Sequence, residues 1–444
     1  MIRSVFDINT GCSFLVTLIW VAAVACVSTS IGTEKESPAP ERKEAVSLET
    51  LREMRSTIRF RERRIIVNND GNDKVLPPYT IERFLESRTS GLEGTQVDSI
   101  FYCTGVPMLY THRSEIAAQL GVGDHADAPN KQWVSAFNEQ DTDSLEIVTN
   151  WGREHDKEIF WSIRLNDRHD SGSRWKHLIT DWKRKNPELT MGTEGEGLPD
   201  NFERGHNSWS LLRYDRAEVR DTIYSLIEEV CQNYDIDGIE LDFWRHPAYF
   251  PEPLIGLPVP REKKDDMTKL WKRVRRMTEA VGMERGKPFL IAIKIPDSMD
   301  YCEAMGLDVK RWLEEDLVDL VIGADYFKLE PWENLVATGR RFEVPVYACF
   351  EIRRIEPGIS KEGKKASLKV WRGEAYNAWR SGVDGIYLMN RFDSGEKILY
   401  ELGDPELLEA LDRVDQTSYY NPETWSKPQT WVPDGMKYFK EPRQ

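Results

Sequence analysis

The chain has little of what marks several common protein classes. Only six cysteines occur in 444 residues. Cys12 and Cys26 lie near the start, Cys103 and Cys349 in strand-like runs, Cys231 in a helical run and Cys302 in a loop. They form no close pair and no metal-type spacing, which excludes a disulfide-built scaffold or a zinc ribbon. Buried free thiols are expected, because a core of this size needs no staples. Positive charge is also in deficit, with 60 Lys and Arg against 75 Asp and Glu and a net charge of −15. Nothing here would neutralise a phosphate backbone, so nucleic acid is not an expected partner. An arginine pocket could still take an anionic ligand locally. No apolar run reaches the ~20 residues that cross a bilayer. No glycine-rich phosphate loop follows any strand-like run, so neither a dinucleotide fold nor any cofactor is implied.

The amino-terminal segment 1–32 reads as an export signal. Arg3 precedes the apolar run Phe14 to Val27, and the small residues Ser28, Thr29 and Ser30 follow it. The sequence Ala23-Val24-Ala25-Cys26 loosely resembles a lipoprotein cleavage box, so the only membrane contact expected is a lipid anchor. A secreted or periplasmic location follows. Residues 33–63 are polar, with Pro38 and Pro40 before a basic, helix-capable run, and read as a linker. Residues 415–444, with Trp425 and Trp431, read as a tail wrapping the domain.

From Arg64 to about Asp404 strand and helix signals alternate. Strand-like runs occur at Ile65 to Val67, Val97 to Thr104, Glu158 to Leu165, Ile239 to Phe243, Phe289 to Ile295, Leu317 to Ile322, Val344 to Phe350 and Gly385 to Met389. Helical patterns separate them at Thr80 to Arg88, Ser144 to His155, Glu218 to Asn233, Asp265 to Val281, Val309 to Glu315 and Leu368 to Arg380. Eight strands alternating with helices imply parallel βαβ units, and residues 64–414 fit a (β/α)8 TIM barrel with long βα-loop insertions. The largest insertion runs from Arg168 to Asn207. A short echo, Asp237-Gly238-Ile239-x-Leu241 and Asp384-Gly385-Ile386-x-Leu388, falls on the fourth and eighth strands.

The fourth strand carries acids where a buried strand should carry oil. Ile239, Leu241 and Phe243 share one face, while Glu240, Asp242 and Trp244 share the other. Carboxylates on the inward face belong at the C-terminal mouth, where the active sites of such barrels lie. The segment Tyr214-Asp215-x-x-x-Glu218-Val219-Arg220-Asp221 followed by Tyr234-Asp235-Ile236-Asp237-Gly238-Ile239-x-Leu241-Asp242-x-x-Arg245-x-Pro247 resembles the glycosyl-hydrolase-like barrels related to family-ten glycosidases. That resemblance implies a TIM barrel, export and carbohydrate hydrolysis, with the strand-four aspartate in the sugar site. Glu240 stands where the family has His or Gln, and Trp244 stands where a chitinase-type pattern would have Glu.

Glycoside hydrolysis needs one carboxylic acid to protonate the leaving oxygen and a second carboxylate to attack or to activate water. Asp242 is the first candidate, as an acid whose pKa burial could raise. The plain alternative is a structural acid paired with Arg164, Lys294 or Arg245. Its partner could be Glu351 ending strand seven, Asp325 ending strand six, or Glu240 one pleat deeper; Glu351 could equally pair with Arg353 or Arg354. On strand three Arg164, Asn166, Asp167 and His169 form a polar cluster able to hold sugar hydroxyls, a carboxylate or a sulfate. Arg245, His246, Lys294, Asn69, Asp70 and Asn390 extend it, and Trp209 and Trp244 are the candidate aromatic platforms. The expected partner is a carbohydrate. Two other classes remain in play: a carbohydrate-binding barrel without catalysis, and a metal-dependent deacetylase or esterase using Asp167, His169 and His246 around zinc.

Overall fold

The computed structural model describes residues 46–196, 208–323, 327–351, 355, 367–414 and 428–440. The expected export signal lies outside them. Eight strands close into an all-parallel barrel: β1 (Ile65–Asn69), β2 (Val97–Tyr102), β3 (Glu158–Arg164), β4 (Gly238–Asp242), β5 (Leu290–Ile295), β6 (Leu320–Gly323), β7 (Val346–Phe350) and β8 (Gly385–Met389). β1 pairs with both β2 and β8, so no edge is left open. All eight were legible as strand-like runs, β4 by its alternation of apolar and acidic residues. Among the helices, Ala217–Asn233 and Leu368–Arg380 match their sequence patterns closely. Arg261–Arg285 is longer than the Asp265 to Val281 signal. The helix Trp332–Arg341 between β6 and β7 was not anticipated, nor was the small three-stranded sheet at residues 105–119.

Alternation along each strand sorts oil from charge. The lumen holds Ile66, Phe101, Phe160, Leu290, Leu320 and Tyr347, with Phe101 and Phe160 stacked at 4.3 Å. Ile239 and Leu241 point out to the helices, as expected. The echoed motifs repeat one local device. Asp237 accepts the Ile159 backbone N–H at 2.9 Å, and Asp384 accepts that of Val346 at 2.8 Å, each pinning the preceding strand. The adjoining glycines give way to an aromatic ring from that strand: a Cβ at Gly238 would sit 2.4 Å from Phe160, and one at Gly385 would sit 2.9 Å from Tyr347.

The N-terminal end of the lumen is plugged by charge. Arg63 is fully buried and forks onto Glu158 at 2.6 and 2.9 Å, while Ser99 donates to the same carboxylate at 2.8 Å. Part of the stretch expected as a linker, Leu48–Ile58, is a helix. Its Leu51 is buried, and its Arg55 reaches Asp319 at 2.8 Å. The four cysteines among the described residues are free and buried, in line with the sequence reading.

Removing one partner of the Arg63–Glu158 plug leaves an uncompensated buried charge, at a cost of about 3–5 kcal/mol. Arg63→Met is therefore expected to lower the urea midpoint far more than Arg64→Met, whose half-exposed partner Asp98 keeps access to water. Equal shifts for the two variants would contradict the plug.

Candidate functional site

The C-terminal ends of β3, β4 and β5 bring Arg164, Asp242 and Lys294 into one row, because Arg164 pairs in register with Asp242 and Asp242 with Lys294. One pleat below, Ser162, Glu240 and Ala292 form the next row. Asp242 is 2% exposed. Its Oδ2 lies 3.0 Å from the Lys294 Nζ, and its Oδ1 accepts the backbone N–H groups of Trp244 at 2.8 Å and Arg245 at 3.1 Å. Pairing with Lys294 was one of the alternatives the sequence left open. Both oxygens are thus acceptors, an arrangement that suits an ionised carboxylate better than the proton donor first expected.

Glu240 sits differently. It is fully enclosed in the lumen, where Ser162 donates to its Oε2, Asn68 Nδ2 donates to the same oxygen at 3.3 Å, and the Tyr387 hydroxyl donates to Oε1 at 2.7 Å. Burial, reinforced by the nearby Asp242 charge and only partly offset by Lys294, pushes its carboxyl up to about 7. Tyr387 occupies in the β8 echo the position that Glu240 occupies in β4, so the two variable residues of the repeat meet at the barrel centre. As a candidate catalytic acid Glu240 is placed too deep to meet a substrate. It lies behind the Asp242–Lys294 pair.

Around the rim, Arg164 donates to Asp167 Oδ2 at 2.9 Å and to the Asp70 carbonyl at 3.0 Å. Asp70 also takes Arg88 at 3.1 Å and Asn390 at 2.9 Å. Burial opposes ionisation of Asp70, but Arg164, Arg245 and Arg88 outweigh it and hold the carboxyl well below the usual range. Asn390 bears φ +55°, a left-handed conformation that asparagine tolerates. Asn69 is spent on the loop itself, donating to Asp73 at 3.1 Å and accepting from Arg88 at 3.0 Å.

Three expectations change in role. Asn166 is fully buried and ties two loops together through the Leu212 and Ala248 carbonyls at 3.0 and 2.6 Å, so it positions backbone instead of facing a ligand. Trp244 is fully buried against Phe327 at 4.6 Å, because the strand ends at Asp242 and the alternation ends with it. Trp209 is also buried. Asp325 lies outside the described residues, as do Arg353 and Arg354. Glu351 is buried at the C-terminal end of β7, with the lumen-facing parity of Tyr347 and Cys349.

Asp167, His169 and His246 gather as the spacing-free reading of them required, with donor atoms within 4.8 Å of one another. Their donors are already engaged. Asp167 Oδ1 accepts the His169 ring Nδ1 at 2.6 Å and its backbone N–H at 2.8 Å, and His246 Nδ1 accepts the Arg168 N–H at 3.2 Å. Burial drives His246 well below its ordinary pKa, although Asp167 pulls the other way. A zinc ion fits the residue types, and binding through either Nδ1 would displace these bonds.

A cleft of about 190 Å³ opens beside the rim and includes Asp70, Lys131, Arg164, His169, Trp175 and Arg245 in its wall. Burial lowers the Lys131 ammonium to about 8, with Asp73 and Asp70 opposing the fall. Sequence reasoning missed Lys131 and Trp175 as wall residues, since both lie in insertions with no strand parity to point them inward. Trp431, in the carboxy-terminal tail, was missed too: its ring is buried 6.0 Å from His246 and under the Arg168 guanidinium at 5.0 Å.

No protein family matches the sequence, and no curated protein matches it. Similar solved structures include the alpha-L-fucosidase isoenzyme 2 of Paenibacillus thiaminolyticus, at 13% identity and TM-score 0.46 over 78% of this chain and 49% of that one. A GH36 alpha-galactosidase from Geobacillus stearothermophilus is 14% identical with TM-score 0.40, over 84% of this chain and 46% of that one. This chain therefore spans about half the length of each. The PgaB glycoside hydrolase domain of Bordetella bronchiseptica is 11% identical with TM-score 0.45, over 80% of this chain and 99% of that one.

The enclosed Glu240 carries a pH signature. An unfolded glutamate releases its proton near 4.3, whereas folded Glu240 keeps it to about 7. Between those values the folded chain binds the extra proton, so this group's contribution is full at low pH and is lost as pH rises through about 7. Glu240→Gln is expected to flatten the decline in unfolding free energy, read from urea titrations, between pH 5 and pH 8 by on the order of 2–3 kcal/mol. An unchanged decline would contradict the placement of Glu240.

Proposed function

We propose that the protein is an exported glycoside hydrolase acting on a polysaccharide or oligosaccharide at the C-terminal mouth of the barrel. The observation that carries this reading is the Asp242–Lys294 pair at the C-terminal end of the barrel, one row above the enclosed Glu240. The two carboxyls in adjacent rows meet different surroundings: Asp242 has a cation and two backbone N–H groups, whereas burial in the lumen raises Glu240 to about 7. The apolar run and small residues at the amino terminus support export.

In this reading Asp242 supplies the negative charge, as nucleophile or as the base that activates water. Lys294 and two backbone N–H groups hold it in place. Glu351, at the end of β7, is the proton donor, with Asp325 at the end of the sixth strand signal as the alternative. Arg164, Arg245, His169 and Asp70 line the cleft where sugar hydroxyls or an acidic substituent would bind. Glu240 positions the pair from below. A second reading, metal-assisted removal of an acyl group, is favoured by the spacing of Asp167, His169 and His246.

The deciding experiment is a glycan panel with product analysis, run with and without chelator. Hydrolysis that survives EDTA and falls by about 10²–10⁴-fold in Asp242→Asn, with unchanged circular dichroism, supports the hydrolase. Activity abolished by EDTA and restored by zinc would transfer the chemistry to the Asp167 trio.

A further inference from the structure

Beyond the inner cleft lies a second one of about 440 Å³, bounded on one side by the small sheet at residues 105–119 and on the other by the insertion after β3. Its wall includes Gln119, Asp124, Lys176, His177 and Trp182. His177 lines both clefts, so the two hollows meet at a single side chain. His125, from the opposite wall, bonds the His177 carbonyl at 3.0 Å and fixes the two insertions against each other there.

A row of rings links the barrel mouth to this junction. Centroid distances run 6.0 Å from Trp431 to His246, 5.0 Å from His246 to His169, 6.4 Å from His169 to Trp175 and 5.7 Å from Trp175 to His177. Trp182, half-buried, continues the aromatic surface into the outer cleft. Core packing accounts for Trp431 and His246, which are buried. It does not account for Trp175 and His177, which keep partly exposed faces on cleft walls, while Trp182 packs one side on the core and keeps the other partly exposed in the outer cleft. The inner cleft is also small: ligand sites usually measure about 300–1,000 Å³, and 190 Å³ falls short of that. The outer cleft brings the total into range.

We propose that the two clefts form one track for an extended glycan chain, with the inner cleft holding a sugar against Arg164, His169 and Arg245 and the outer cleft gripping sugars further along. The substrate is then a polymer or long oligosaccharide, and binding strength grows with chain length until the outer cleft is filled. Flat rings suit this task because they present broad apolar faces at little conformational cost. The inference rests on reading the barrel mouth as a sugar site.

The test is calorimetric titration of the full chain with cello-, xylo-, chito- and galacturonate oligosaccharide ladders, from monosaccharides upward. It is repeated with Trp182→Ala and with Lys176→Ala, the latter an exposed side chain of the outer cleft. For the ladder that binds, Kd is expected to fall with length and then level off. Trp182→Ala should raise Kd for long chains about tenfold, the ratio of a ~1.4 kcal/mol contact, and leave the shortest binder unaffected; Lys176→Ala should act in the same direction and less. Length-independent Kd in the native chain, or equal effects of Trp182→Ala on short and long ligands, overturns the track. Length-dependent binding without hydrolysis of any ladder overturns the hydrolase reading and leaves the track standing. No binding of any ladder overturns both.

Discussion

A closed barrel lumen cannot leave an ionised group alone, and that constraint organises this protein from one end to the other. Water is nearly absent among eight paired strands, so each charge placed inside must be met by an opposite charge, a directed N–H or a proton. At the N-terminal end Arg63 and Glu158 cancel. At the C-terminal end Lys294 serves Asp242, and Glu240 below them is left without a cation of its own and keeps its proton to about 7. Between the two ends the lumen is apolar, chiefly Ile66, Phe101, Phe160, Leu290 and Leu320. The charged layers are therefore separated in space, one closing the barrel and one facing the mouth.

The same logic spreads outward at the rim. Arg164 bridges Asp167 to the loop at Asp70, and Asp70 in turn gathers Arg88 and Asn390. Loops from β1, β3 and β8 are thereby held in fixed relation around one opening. Asn166 does the equivalent inside the protein by bonding backbone carbonyls of two separate loops. Rigidity of this kind is what a catalytic constellation needs, since positioning side chains well costs more than supplying them.

The barrel was legible because a parallel strand buried on both faces writes itself as a short run set off from helical patterns, and all eight runs coincide with strands. The acidic row was legible for a related reason: strict alternation placed Glu240 and Asp242 inward, and their rows are now seen beside Ser162, Arg164 and Lys294. Parity fails once a strand ends. Trp244 keeps the right parity but lies beyond Asp242, where the chain turns and takes it into the core against Phe327. Trp175, His177 and Lys131 occupy insertions whose course depends on long-range packing, and Trp431 comes from a tail nearly two hundred residues beyond β4. No local pattern could mark those residues. Depth was hidden as well, since the sequence shows which face Glu240 takes but not that Tyr387, Asn68 and Ser162 enclose it.

The most direct measurement is a crystal structure of the full chain soaked with an oligosaccharide that binds it. A sugar oxygen or anomeric carbon within hydrogen-bonding reach of Asp242, about 2.6–3.2 Å, with Lys294 still alongside, is the expected result. A sugar bound elsewhere, with Asp242 and Lys294 sealed from it beneath Arg164 and Arg245, would contradict the account.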